Sequence, residues 1–185
     1  MTDHSASGHD QALVAALTAI QARGAIGEAS IERAIEHAAH YVRRIPADVA
    51  RVADLGSGGG LPGLVVAVRR PDLEVTLVER RHTRADLLRR AVASLGLGSH
   101  VRVLADDVSV LMRTSPAAFD VVTARSFAAP AITARCAATL LRTGGLLVVS
   151  EPPEDDPDRW PPDLLHAVGL VDDGRDGPVR VFHRV

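Results

Sequence analysis

The stretch Val52-Ala-Asp-Leu-Gly-Ser-Gly-Gly-Gly-Leu-Pro-Gly63 constrains this chain more than any other part of it. An apolar run, Arg51–Leu55, enters a glycine-rich turn, and a helical pattern follows over 61–69. Such a turn needs residues that tolerate positive φ and leave the backbone open to close approach. A strand that turns this sharply into a helix opens a β-α-β unit, and the remaining pattern continues it. Short β-branched runs occur at Glu74–Glu79, Val101–Ala105, Phe119–Ala124 and Leu146–Ser150. Helical stretches lie between them at 82–95 and 130–142, with 107–114 a short helix or a loop. This alternation predicts a parallel sheet with helices on both faces.

The two ends of the chain differ from its middle. Residues 1–9 read as disordered, and 10–45 as a helical extension. Within it Leu13, Val14, Leu17 and Ile20 recur at helical spacing. Ser30 is placed to cap a second helix carrying Ile31, Ala34, Ile35, Ala38 and Val42 on one face. His37 and His40 on that helix read as surface histidines. Residues 46–185 form the remaining unit. After the fifth strand, Glu151–Pro162 is acidic and Pro-rich and reads as a loop, and Asp163–Ala167 as a short helix. Gly169–Asp172 and Val179–Val185 then read as two strands around a turn at Asp173–Gly177, which must pair antiparallel.

Bulk properties exclude several classes. The net charge is −2, without the excess of positive charge usual in proteins that wrap nucleic acid, though a local basic face remains open. With one cysteine, Cys136, neither an internal disulfide nor a zinc cluster can form, and its apolar neighbours mark an inert buried thiol. Aromatics make up only 3%, so the core must be built from Ala, Val and Leu. No signal-peptide core or run of membrane-span length is present, so a cytoplasmic location is expected.

The glycine loop alone is ambiguous. Gly58-x-Gly60-x-x-Gly63 satisfies a dinucleotide fingerprint, which would suit a nicotinamide-dependent enzyme. Asp54 at the strand end argues against that, because a carboxylate there would repel a pyrophosphate but favour an ammonium group. The Asp54-x-Gly56-x-Gly58-x-Gly60 pattern resembles the first motif of class I methyltransferases. A mostly parallel sheet of seven strands, closed by an antiparallel C-terminal hairpin, is the outline of that Rossmann-like fold. In that class the loop packs against the methionine part of S-adenosylmethionine, and the acid helps hold its amino group, directly or through water. Glu79, closing the second strand, is placed to accept hydrogen bonds from both ribose hydroxyls. Of Asp106 and Asp107, after the third strand, one would accept from the adenine amino group and the other cap the next turn. Asp106, nearer the strand end, is the preferred adenine partner.

The chain from Asp54 to Ala129 resembles, more narrowly, the small-subunit ribosomal RNA guanine-N7 methyltransferases, also called glucose-inhibited division protein B. Asp54-Leu-Gly-Ser-Gly-Gly-Gly-Leu-Pro-Gly63 looks like that family's cofactor loop. Pro71–Glu79 with Arg84, Leu87 and Leu88 resembles its second strand and basic helix. Phe119-Asp-Val-Val-Thr-Ala-Arg-Ser-Phe-Ala128 looks like its fourth strand and the turn beyond. The resemblance implies an S-adenosylmethionine-dependent enzyme acting on N7 of a guanine in ribosomal RNA or the small subunit. It implies a cofactor site at Asp54, Gly56, Ser57, Gly58, Gly60, Leu61, Glu79, Arg80, Asp106, Asp107 and Arg125, with Arg125 in the catalytic position. The bland alternative for Arg125 is a salt bridge to Asp120 or a helix-end contact. Arg80, Arg81, Arg84, Arg89 and Arg90 would face RNA phosphates, or simply water. Where the family has a Lys-Gly element after the fifth strand, this chain has Ser150-Glu151-Pro152-Pro153 and then Glu154, Asp155 and Asp156. That negative run favours two alternatives, a small-molecule acceptor or a cofactor-binding protein without catalysis.

Overall fold

The computed structural model describes residues 3–154 and 156–185. A seven-stranded sheet runs in the order β3-β2-β1-β4-β5-β7-β6. Its strands are β1 (Arg51–Leu55), β2 (Glu74–Val78), β3 (Val101–Leu104), β4 (Phe119–Ala124), β5 (Leu141–Ser150), β6 (Leu170–Asp176) and β7 (Val179–Arg184). The first five pair in parallel, and β7 is antiparallel to both β5 and β6. This is the class I methyltransferase arrangement that the strand-helix alternation predicts.

Among the described residues seven helices cover the two faces: α1 (Asp3–Gln21), α2 (Ile31–Arg44), α3 (Gly63–Arg69), α4 (His82–Ser94), α5 (Val108–Thr114), α6 (Pro130–Leu140) and α7 (Pro162–Val168). On one face Leu13, Leu17, Ala38 and Tyr41 join Leu64, Val66 and Leu88 in a single apolar cluster with the sheet. The N-terminal helices therefore pack on their own sheet, where burying such a stripe yields most of a helix's stability. The opposite face is filled by Leu111, Ala137, Leu140, Leu147, Trp160 and Phe182, with Cys136 among them. Burial pushes the Cys136 thiol pKa up, as expected of an inert thiol.

Several boundaries differ from the sequence reading. Residues 3–9, read as disordered, continue α1 outward from its packed end, and Met1 and Thr2 lie outside the described residues. Once 13–20 are anchored, each added helical residue costs little. β5 starts at Leu141 rather than Leu146, directly from α6, because a register shift after Phe119 lets Leu141 pair with it. Segment 107–114 is helical from Val108, capped by the Asp107 carboxylate, which accepts the Ser109 amide at 2.9 Å. The turn read at Asp173–Gly177 sits further on, since β6 runs through Asp176 and Gly177 at φ +58 makes the turn with Pro178. A shift in register between Asp172 and Gly174 absorbs the turn-like Asp-Asp-Gly in the strand.

Candidate active site

The chain order reverses between β1 and β4, and in open α/β sheets this switch point leaves a crevice at the carboxyl ends of the strands. Three adjoining cavities occupy it, and Ser126 lines all of them. The largest, about 520 Å³, lies among Gly56, Glu79, Arg80, Arg84, Asp106, Asp107 and Phe127. A second, about 210 Å³, lies under the glycine loop at Ser57, Gly58 and Leu61, closed by Ala25–Gly27 and Arg125. The third, about 330 Å³, lies behind Arg125, between His37, Glu151, Arg159 and Trp160.

The loop is held from below and from both sides. The Ser57 amide donates to the Val78 carbonyl at 2.9 Å, and the Ser57 hydroxyl to the Asp54 carbonyl at 3.0 Å. Glu79 is buried, and its Oε2 accepts the Gly58 amide at 3.0 Å while Oε1 accepts the Arg81 amide at 2.8 Å. The carboxylate thereby fixes the loop to the end of β2 and keeps a second lone pair on each oxygen for further donors. Gly56, at φ +65, touches Phe127 so closely that a Cβ there would lie 2.8 Å from its ring. Gly59 is covered by Ile26 and the Ala25 carbonyl, so the α1–α2 connection forms part of the site wall.

Asp54 and Gly60 do not line the crevice. Gly60 turns inward against Leu64 and Leu88. Asp54 is fully buried beneath the loop; its Oδ1 accepts the Thr123 hydroxyl at 2.7 Å, and its Oδ2 has no hydrogen-bond partner. Burial raises its pKa to about 6, opposed chiefly by the Thr123 hydrogen bond. Asp107 caps α5, and Asp106, which lines the largest of these cavities beside it, accepts the Asp107 amide at 2.8 Å.

Arg125 is not paired with Asp120. That carboxylate is taken by Arg142 and by the amides of Ala50 and Arg51 at the far end of β4. Arg125 NH1 is buried without a hydrogen-bond partner. The Tyr41 hydroxyl donates to the Ala124 carbonyl at 3.2 Å, tying α2 to the strand end that carries Arg125. Ser126 follows at φ +52, an uncommon conformation for a residue with a side chain.

His37 is where the sequence reading fails. It lies three residues from Ala34 and four from Tyr41, on the flank of the apolar face of α2. It is half-buried, with Nε2 lacking a partner, and it lines the same cavity as Arg125. Burial, and secondarily the Arg125 charge, push its pKa below the ordinary histidine value. His40 is half-buried too, against Gly177. The helical period could have found both, since each neighbours a buried position. Of the arginines in and before α4, Arg80, Arg81 and Arg84 reach the crevice, whereas Arg89 pairs with Asp86 at 2.8 Å. Glu151, read as part of an acidic, Pro-rich loop, is buried and engaged by Trp160 and Arg159. Glu154 and Asp156 are exposed, and Asp155 lies outside the described residues.

Residues 15–152 match the model of the rRNA small subunit methyltransferase G family, GidB. A ribosomal RNA small subunit methyltransferase G from Acidothermus cellulolyticus is 43% identical over 130 residues, which are 68% of this chain and 56% of that protein. The chain belongs to this family. Another relative of the same name, from Salinispora arenicola, is 45% identical over 121 residues, 63% of this chain and 50% of its own length. The chain thus spans about half the length of the relatives it matches. In fold it is similar to cofactor-bound Rv0187 from MTB, with a TM-score of 0.65 and 20% identity over 94% of this chain and 89% of that one. Among the described residues, no helix is long and apolar enough to cross a membrane.

Proposed function

We propose that this GidB-family chain is an S-adenosylmethionine-dependent methyltransferase acting on N7 of a guanine in small-subunit ribosomal RNA. The observation that carries the proposal is the meeting of two structures at the switch point. One is the glycine loop locked to Glu79; the other is the partnerless guanidinium of Arg125 at the end of β4. The donor set suits the cofactor. Glu79 has lone pairs left for the ribose hydroxyls, and Asp106 is exposed at the mouth for the adenine amino group. Gly56, Ser57, Gly58 and Leu61 offer backbone to the methionine part. Asp54, buried below with one free oxygen, supplies negative charge beneath the cofactor's ammonium rather than a surface contact. Arg80 and Asp107 flank the adenosine end, Asp107 chiefly by holding α5 in place.

Bound S-adenosylmethionine supplies an activated methyl on its sulfonium sulfur. Guanine N7 has a lone pair and no proton, so the chain needs no general base. Its task is to hold the acceptor in line, from which most of the rate can come. Arg125 is the catalytic candidate because it stands between the cofactor loop and the cavity behind it. Arg80, Arg81 and Arg84 form a local positive patch despite the net charge of −2, and this suits phosphates. The exposed acids Glu154, Asp156 and Asp158 favour a second reading, a small-molecule acceptor.

Calorimetry with S-adenosylhomocysteine, on wild type and Asp54→Ala, tests the cofactor assignment. Binding weakened in the variant supports it, and absence of binding to wild type refutes it. Methyl transfer to unmethylated small-subunit RNA or subunits tests the acceptor. Transfer to a small molecule alone would select the second reading.

A further inference from the structure

The cavity behind Arg125 is walled on one side by residues beyond 152, past the end of the family match. Trp160, the sole tryptophan, is buried with its ring tilted against Phe182 at 4.8 Å. Its indole N–H donates to Glu151 Oε1 at 2.8 Å. The Arg159 guanidinium lies over the Trp160 ring, with Nε 3.3 Å from Glu151 Oε2. The Glu151 side chain is 1% exposed and that of Arg159 31%. A carboxylate this deeply buried persists only when paired and hydrogen-bonded, and here it is both. Each of its oxygens still has acceptor capacity, and Arg159 Nε makes no hydrogen bond. Across the cavity, Arg125 NH1 and His37 Nε2 are also without partners. Buried polar atoms left open around one cavity are costly unless something arrives to meet them.

We infer that this cavity receives the acceptor base, and that Glu151 and Arg159, set in place by Trp160, select guanine there. The inference rests on the methyltransferase reading above. Guanine presents N1–H and N2–H side by side, two donors that a carboxylate accepts together. Its O6, next to the reacting N7, accepts from a guanidinium. Adenine offers the reverse, a lone pair at N1 toward the carboxylate and an amino group toward the arginine, so both contacts become repulsive. Inosine keeps O6 and N1–H but lacks the N2 amino group, and so isolates the second hydrogen bond to Glu151.

Trp160 fluorescence, being the only tryptophan signal, reports occupancy of this cavity. Protein saturated with S-adenosylhomocysteine is titrated with a short uridine RNA carrying one guanosine, inosine or adenosine. Guanosine is expected to bind roughly tenfold more tightly than inosine, and adenosine more weakly still. In Glu151→Gln, whose amide oxygen still accepts from Trp160, guanosine and inosine should agree within about twofold. Arg159→Gln, at a partly exposed position, should weaken both alike while S-adenosylhomocysteine binds as before. No saturable change with guanosine, equal binding of all three bases, or a preference unmoved in both variants would overturn the inference. A protein that selects guanosine here yet never transfers a methyl group defeats only the methyltransferase reading. One that methylates guanosine with a preference indifferent to both variants defeats only this inference.

Discussion

Thr123 donates its hydroxyl proton to Asp54 across the β1–β4 pair, at 2.7 Å, from the position directly opposite in register. With smaller contributions from the Ser57 side chain and the Gly63 backbone, it eases the charging of the Asp54 carboxylate. A fully buried carboxylate with one oxygen unpartnered is costly when charged, which is why its pKa rises to about 6. Under the function proposed above, the cofactor's ammonium group would offset that cost from the other side of the loop.

The pH dependence follows from the sign of that shift. A carboxylate whose folded pKa is raised holds its proton more tightly in the native state, so it favours the fold at low pH. That advantage is lost as pH rises from the unfolded value near 4 through the folded value of about 6. The span is worth up to about 3 kcal/mol. Asp54→Asn, which still accepts from Thr123, should show a flatter stability profile between pH 4 and 7. Urea denaturation of both proteins across that range measures the difference, and parallel profiles would show that Asp54 does not titrate in this window.

Gly63 is required for packing rather than for backbone freedom. A Cβ there would lie 2.6 Å from Asp54 Oδ2 and collide with Leu77. Neither neighbour can retreat, because both are fully buried. Gly63→Ala should therefore destabilise the protein by about 1–3 kcal/mol, the usual cost of overpacking a core. It should also weaken S-adenosylhomocysteine binding by displacing the loop. Denaturant melts and calorimetry check the two effects, and a neutral substitution would mean the β1–α3 junction is looser than its contacts indicate.

Much of this architecture is legible in the sequence because the local signals agree. Strands of β-branched residues alternate with helical periods, and glycines sit where the backbone must reverse. The hairpin of β6 and β7 is likewise written in the turn residues near its middle, though the register shift after Asp172 moves the turn itself. The site is legible only where it depends on one segment. Asp54, Glu79 and the loop follow from a single β-α-β unit. His37, Ile26 and Trp160 come from elements far apart in the chain, and no short-range pattern says that a half-buried histidine will face an arginine after β4. Glu151 is illegible for the opposite reason. It sits in an acidic, Pro-rich run, and only the fold shows its charge turned inward onto Arg159 and Trp160.

The neighbouring carboxylates Asp106 and Asp107 should separate cleanly by mutation. Hydrogen bonds donated by the Ser109 amide, and secondarily by the Ser109 hydroxyl, hold Asp107 below the usual carboxylate range. Asp107→Ala removes the cap of α5 and should cost about 1 kcal/mol of stability. Asp106→Ala loses no cap; under the adenine assignment it should weaken S-adenosylhomocysteine about fivefold with little change in stability. Thermal melts and calorimetry on both variants decide the matter. The reverse pattern would move the adenine contact to Asp107.

Arg125 and His37 line one cavity, and the positive charge of Arg125 helps keep His37 neutral. Arg125→Ala should therefore raise the His37 pKa. The rise should be partial, because burial rather than Arg125 is the larger cause of its depression. Histidine-resolved NMR titration of the wild type and the variant measures it directly, without needing an acceptor substrate. The same variant should lower methyl transfer by roughly a hundredfold, as removal of a positioned charged donor does. Its binding of S-adenosylhomocysteine should change far less, since the loop and Glu79 remain. An unmoved His37 pKa would place the guanidinium away from the cavity in solution. An unmoved rate would remove Arg125 from the catalytic position and leave it a structural cation at the end of β4.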